Sequence, residues 1–338
     1  MLRTSVVSLP GSVTKGSNLI LYLLNCPIKS RRFFSVTSRS VKVVEVGPRD
    51  GLQNENTRIP TSLKISLVNK LSKAGLEYIE VSSFVSPKWI PQLSDAADVF
   101  RSIERCKQTK YAALVPNYKG LLAALDMKVD EVAVFTAASE VFAQRNINCS
   151  IDESIKRFDP IFRKAKEMNV PVRGYVSCAL GCPYQGHISP SEVARVVELL
   201  WKRGCREISL GDTVGIGSPE SMEKLLSAIV GRLGVCPVEA LAVHCHNTWG
   251  RALDNIDVAL DMFGVRTVDA SIGGLGGCPY AGDGASGNVA TELVVSHLSK
   301  KGYTFSQNLR IDQLPEVSCL SSLVRCITEF VVFISSVH

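Results

Sequence analysis

From Val41 onward the chain alternates short apolar runs, rich in β-branched residues, with amphipathic stretches. The runs are Val41–Val46, Tyr78–Ser83, Tyr111–Val115, Glu131–Phe135, Val172–Ser177, Glu207–Leu210, Leu241–His246 and Val268–Ile272. Between them, Thr61–Ala74, Ile151–Met168, Pro190–Arg203, Pro219–Arg232 and Arg251–Met262 have a helical pattern, and Pro190 and Pro219 each follow a serine suited to capping a helix. Strands alternating with helices read as parallel β–α–β units. Eight of them predict a closed TIM (β/α)8 barrel with its active-site residues at the C-terminal strand ends. An open, doubly wound sheet is the alternative, but it needs no eighth strand and usually has a glycine-rich dinucleotide turn after its first strand. Here that turn reads GPRDGLQNE. The expected layout is a barrel over residues 41–313, with an atypical, helical C-terminal segment over 314–338.

The net charge of +6 resides entirely in Arg3, Lys15, Lys29, Arg31, Arg32 and Arg39, and residues 1–40 contain no acid. The remaining body is neutral, which argues against nucleic acid as a partner. An acid-free, serine-rich, arginine-bearing start has the composition of a mitochondrial transit peptide, and RRFFSVTSRS suits a processing site. The apolar run Asn18–Cys26 lacks the small-x-small site of a secretory signal and is too short to span a bilayer. The expectation is therefore the mitochondrial matrix, with no membrane partner. In such a reducing compartment, eleven scattered cysteines read as small core residues with one or two reactive thiols.

The chemistry-bearing residues cluster at the predicted strand ends. The first strand runs into Arg49 and Asp50 between glycines, and the second carries Glu80, a carboxylate in an apolar run for which Arg49 is a candidate partner. Arg173 and Tyr175 lie two apart on the fifth strand and so share a face, inward or outward. The sixth ends in Gly211-Asp212-Thr213. The seventh ends in His244 and His246, whose rings converge if the strand continues through them. After the eighth comes a glycine-rich loop carrying Cys278 and leading to Asn288. Asp50, His244, His246 and the Asn288 amide make a mixed oxygen and nitrogen site without thiolate, suited to Mg²⁺ or Mn²⁺ with positions left open for a substrate hydroxyl and carboxylate.

The segments EVGPRDGLQNE, SSFVSPKW, NINCS, RGYVSCALGCPY, EISLGDT, AVHCH and GLGGCPYA run in order from about Val41 to about Tyr303. Together they resemble the 3-hydroxy-3-methylglutaryl-CoA lyase family. The resemblance implies a pyruvate-carboxyltransferase-like catalytic barrel, a Mg²⁺ or Mn²⁺ cofactor and an acyl-CoA substrate cleaved to acetyl-CoA and acetoacetate. It leaves a homodimer open. It implies Asp50, His244, His246 and Asn288 as metal ligands, and Arg49, Glu80 and Cys278 as catalytic, with Asp50 or His244 taking the hydroxyl proton. Arg49, Arg173, Tyr175 and Thr213 are expected to meet the substrate.

This chain departs from the family pattern in four places. Asn247 stands where an aspartate is usual, and Asn56 where a lysine is. The stretch from Cys278 to Asn288 has one extra residue at Gly282-Asp283, and the end from Leu314 does not resemble the family's C-terminal helix. The rival readings are a related Claisen-type enzyme such as an isopropylmalate or homocitrate synthase, which generally has an extra regulatory domain and lacks the cysteine loop, and a non-catalytic acyl-CoA-binding barrel.

Overall fold

The computed structural model describes residues 39–55, 57–232, 234–276 and 287–320. Asn56, Cys278 and Asp283 lie outside the described residues, as do the stretches 1–38 and 321–338.

Eight parallel strands close into a barrel in sequence order: β1 (Lys42–Glu45), β2 (Tyr78–Ser83), β3 (Lys110–Leu114), β4 (Glu131–Ala137), β5 (Val172–Ser177), β6 (Glu207–Asp212), β7 (Leu241–Cys245) and β8 (Thr267–Ala270). Closure is made by β1 against β8, with Lys42 opposite Thr267 and Glu45 opposite Ala270. The TIM-barrel expectation is therefore met, as expected for strands that need a helical crossover to pair in parallel. Around them lie α1 (Thr61–Lys73), α2 (Ala96–Ser102), α3 (Tyr118–Asp126), α4 (Glu140–Ile147), α5 (Ile151–Arg157), α6 (Asp159–Glu167), α7 (Pro190–Lys202), α8 (Pro219–Leu226), α9 (Ala252–Asp257) and α10 (Thr291–Lys300). Ser189 and Ser218 cap α7 and α8, accepting from the backbone N–H groups of Glu192 and Ser221.

Three predicted helices differ in detail. Ile151–Met168 is two helices divided at Phe158, because Pro160 lacks the N–H that a continuous helix would need there. Pro219–Arg232 and Arg251–Met262 widen into π-type turns at Ser227–Arg232 and Val258–Phe263.

Outward-facing strand residues such as Ile79, Val134, Val176, Ile208 and Val268 form one buried apolar cluster with Leu67, Leu121, Ile161, Val197 and Leu260 from the surrounding segments. Burying each such side chain contributes roughly 1.5–3 kcal/mol. The barrel interior is different. Glu80, Glu131, Arg173, Glu207, Ser209, His244 and Asp269 are all buried polar or charged residues, and a barrel is ordinarily filled by branched aliphatics. Past the barrel, residues 314–320 are helical, with Leu314 and Val317 buried.

Candidate active site

The turn after β1 builds one wall. The backbone N–H groups of Arg49, Asp50 and Gly51 all approach the Val46 carbonyl, at 3.1, 2.7 and 3.2 Å, in a wide turn over Gly47–Gly51. A side chain at position 47 would meet Glu45 Oε1 at 2.6 Å, so the turn needs glycine there. Across the site, a Cβ on Gly276 (φ +96°) would lie 3.1 Å from Gly51 Cα and 3.0 Å from Asn288 Nδ2. That backbone-to-backbone approach sets Asp50 beside Asn288, whose Nδ2 donates to Asp50 Oδ2 at 2.8 Å.

Arg49 donates from Nε to Glu80 Oε2 at 2.6 Å and from Nη1 to Asp50 Oδ1 at 2.6 Å. Glu80 sits at a register shift between β2 and β3, a local irregularity of the kind that re-aims side chains at barrel rims. Burial works against the Arg49 charge, but the Glu80 and Asp50 carboxylates raise its proton affinity above the usual range. For Asp50, burial favours protonation, yet Arg49 and the two imidazoles win and hold it at about 2. It is a carboxylate at any working pH.

The two histidines lie at the end of β7, their ring centroids 5.4 Å apart. His246 is just past the strand, bridged to Asn288. Ligand atoms from Asp50, His244 and His246 all fall within 4.8 Å of one another. Burial and the neighbouring His244 lower His246 to about 4, so its ring is neutral near pH 7. Its Nδ1 is buried without a hydrogen-bond partner. His244 behaves oppositely: burial pulls its proton affinity down, but Asp269 and Asp50 raise it overall. An anionic carboxylate, a neutral imidazole with an unsatisfied nitrogen and a second imidazole within reach form a donor set that fits a divalent cation. Asn288 turns its NH2 toward Asp50, so it would offer Oδ1 to a cation only after its amide rotates.

Tyr175 and Arg173 face inward. Tyr175 accepts from Arg173 Nη1 at 2.7 Å and donates to Glu80 Oε2 at 3.2 Å, and its ring lies 5.4 Å from the Arg49 guanidinium. Arg173, expected to contact substrate, is only 2% exposed. Its guanidinium is clamped by Glu207, Tyr175 and Asp269, so it supports the site from below. Thr213 follows β6 and accepts through Oγ1 from the Cys178 backbone N–H at 2.8 Å.

Two further carboxylates lie here, Asp212 given no role from the motifs and Asp269 absent from them. Asp212 ends β6; burial raises it to about 6, and its Oδ1 is buried without a partner. Asp269, in mid-β8, accepts from His244 Nδ1 at 3.2 Å. The signal for Asp269 is the one used for Glu80, a charge in an apolar run. Asn247 keeps a structural task in place of the aspartate usual there. Its Oδ1 accepts from the Ala252 N–H at the start of α9, at 3.3 Å, a bond that either side chain can accept.

Residues 40–320 match the HMGL-like family. The mitochondrial hydroxymethylglutaryl-CoA lyase of Bos taurus is 54% identical over 272 residues, covering 80% of this chain and 82% of that protein. The solved HMG-CoA lyase of Brucella melitensis is 47% identical with a TM-score of 0.81, covering 85% of this chain and 99% of its own. An HMG-CoA lyase from A. baumannii, solved in complex with coenzyme A and 3-methylmalate, is 38% identical with a TM-score of 0.79, covering 85% of this chain and 92% of its own. All eight strands and every described site residue fall within the matched span, and the chain belongs to the HMGL-like family.

Proposed function

We propose that this chain cleaves (S)-3-hydroxy-3-methylglutaryl-CoA to acetyl-CoA and acetoacetate in the mitochondrial matrix. The observation that carries the reading is the convergence of Asp50, His244 and His246 beside the buried Arg49–Glu80 pair at the C-terminal end of the barrel. Its relatives' activity and the coenzyme A complex of one of them support an acyl-CoA substrate.

Asp50, His244 and His246, with Asn288 after its amide turns, would hold the divalent cation, Mg²⁺ or Mn²⁺ by its oxygen and nitrogen donors. When bound, the cation acidifies the substrate's tertiary hydroxyl. The hydroxyl proton goes to the Asp50 carboxylate, which has a second oxygen to accept it while the first holds the cation. Asp50, held at about 2, is a weak base, so the transfer depends on the acidity the cation would give the hydroxyl. As the carbon–carbon bond breaks, the hydroxyl carbon becomes the acetoacetate ketone and the electron pair passes into a thioester enolate. Arg49, held by Glu80, stabilises the enolate oxygen through Nη2. The Cys278 thiol gives its proton to the enolate carbon and regains one from solvent. Tyr175 and Thr213 line the substrate's approach, and Arg173 holds Tyr175 in place through Nη1. Residues 1–40 act as the import segment, 41–313 form the catalytic barrel and 314–338 an additional segment.

The test is acetoacetate release from the CoA ester by the purified protein. EDTA should abolish it and added Mg²⁺ or Mn²⁺ should restore it. Release unaffected by EDTA would remove the cation from the reading, and no release with either metal would remove the activity.

A further inference from the structure

We propose that Asp269 is a positioning residue for cation binding: its carboxylate accepts the Nδ1 proton of His244 and so turns the Nε2 lone pair of that ring toward the cation. This rests on the reading of Asp50, His244 and His246 as the cation site.

Asp269 and His244 stand opposite each other in the β7–β8 register. The Asp269 side chain is fully buried and ringed by donors. Arg173 Nη2 reaches Oδ1 at 2.6 Å. Arg173 Nη1, Ser209 Oγ and His244 Nδ1 reach Oδ2 at 3.1, 2.8 and 3.2 Å. The Arg173 guanidinium, a donor only, meets both of its oxygens, so Asp269 stands there as an ionised acceptor. An ionised carboxylate only accepts hydrogen bonds, so the imidazole nitrogen facing it must carry the proton. In the neutral ring the lone pair then sits on Nε2, the atom that faces Asp50 Oδ2 at 3.8 Å.

The carboxylate cannot turn away, because it is the middle of a buried chain of charges. Arg173 is fixed at its other side by Glu207, at 2.8 Å from Nε, and Glu207 by Lys42 at 2.5 Å. The chain Lys42–Glu207–Arg173–Asp269–His244 draws on five strands of the barrel. Carboxylates behind metal-binding histidines fix tautomer and ring orientation, and their loss costs roughly 10–100-fold in metal affinity. Replacing Asp269 by asparagine puts an N–H among groups that already donate.

The test is a double-mutant cycle read as Mn²⁺ affinity, by electron paramagnetic resonance of free Mn²⁺ titrated into the metal-stripped full chain. Asp269→Asn should weaken binding roughly 10–100-fold in the parent. In a His244→Ala background it should weaken binding no more than about two-fold, because the residue through which it acts is gone. An unchanged affinity in Asp269→Asn, or the same loss in both backgrounds, would overturn the role. If Asp269→Asn does not fold, Arg173→Lys frees the carboxylate from its two-pronged clamp. It should weaken Mn²⁺ several-fold in the parent and not in the His244→Ala background, and equal effects in both would again overturn the role. A parent that binds no Mn²⁺ defeats the cation site itself, a different failure from intact binding that ignores Asp269.

Discussion

Arg49 and Glu80 meet at 2.6 Å with side chains only 7% and 2% exposed, so each is the other's main compensation in a dry place. The pair is an aiming device, because Glu80 fixes the guanidinium through Nε while Nη1 reaches Asp50. Glu80→Ala should lower kcat by roughly 10²–10³-fold, the scale for a misplaced oxyanion donor, and change Mn²⁺ affinity little. Steady-state kinetics beside an Mn²⁺ titration checks this. A parallel fall in both would assign Glu80 to the cation.

His246 contributes a neutral ring and an unsatisfied nitrogen. His246→Ala should therefore weaken divalent-cation binding steeply and collapse turnover while circular dichroism stays unchanged. Retained Mn²⁺ binding would be the contrary result.

In the proposed mechanism Cys278→Ala removes a proton donor and no ligand. Turnover should fall roughly 10²–10⁴-fold with cation affinity nearly intact. A thiol-alkylating reagent should inactivate the parent, and bound substrate should protect it. Near-normal turnover in the variant would place the donated proton elsewhere.

Glu45 is fully buried under the β1 turn and accepts from Gly47 N–H, Ile272 N–H and the Thr291 hydroxyl at 2.8, 2.9 and 2.6 Å. Burial outweighs these bonds and raises it from 4.5 to about 7. The folded state thus binds a proton that the unfolded chain has released. Stability from this group is full below pH 4.5 and is lost as pH rises through 7, by about 3 kcal/mol. Glutamine keeps the acceptor without the charge. Urea unfolding of Glu45→Gln and the parent should diverge in favour of the variant between pH 5 and pH 8. Asp212, raised to about 6, shifts both proteins alike and cancels in the difference. Parallel curves would contradict the assignment.

Protein isolated from mitochondria should lack the first residues, with cleavage between Phe33 and Ser40. The first strand begins at Lys42, so a cut within this window leaves all eight strands intact. N-terminal sequencing decides it, and an intact Met1 or a purely cytosolic distribution would stand against import.

The strands were legible because apolar β-branched runs recur at barrel spacing, and Tyr78–Ser83 and Val172–Ser177 match residue for residue. The short helices Ala96–Ser102, Tyr118–Asp126 and Glu140–Ile147 give too few turns for a 3.6-residue period to stand out. The site was legible where charges stand at strand ends, as with Arg49, Asp50 and His244. It was not legible inside the barrel. Alternation places Arg173 and Tyr175 on one face without saying which, and only the closed sheet reveals that this face meets Glu207 and Asp269. No local pattern announces a partner 96 residues away.

Gly287 N–H donates to the Gly276 carbonyl at 3.0 Å, and the Gly287 carbonyl accepts from Asn247 N–H at 2.6 Å. Whatever lies between Gly276 and Gly287 leaves and returns through one tied neck, anchored to the end of β7. Lengthening such a closed loop by one residue costs about 0.1 kcal/mol in chain entropy and exerts no leverage beyond the knot. An extra residue such as the one the resemblance implies at Gly282-Asp283 therefore need not displace Asn288. Whatever length of chain is inserted beyond that knot, Asp50, His244, His246 and Asn288 on its near side keep their places.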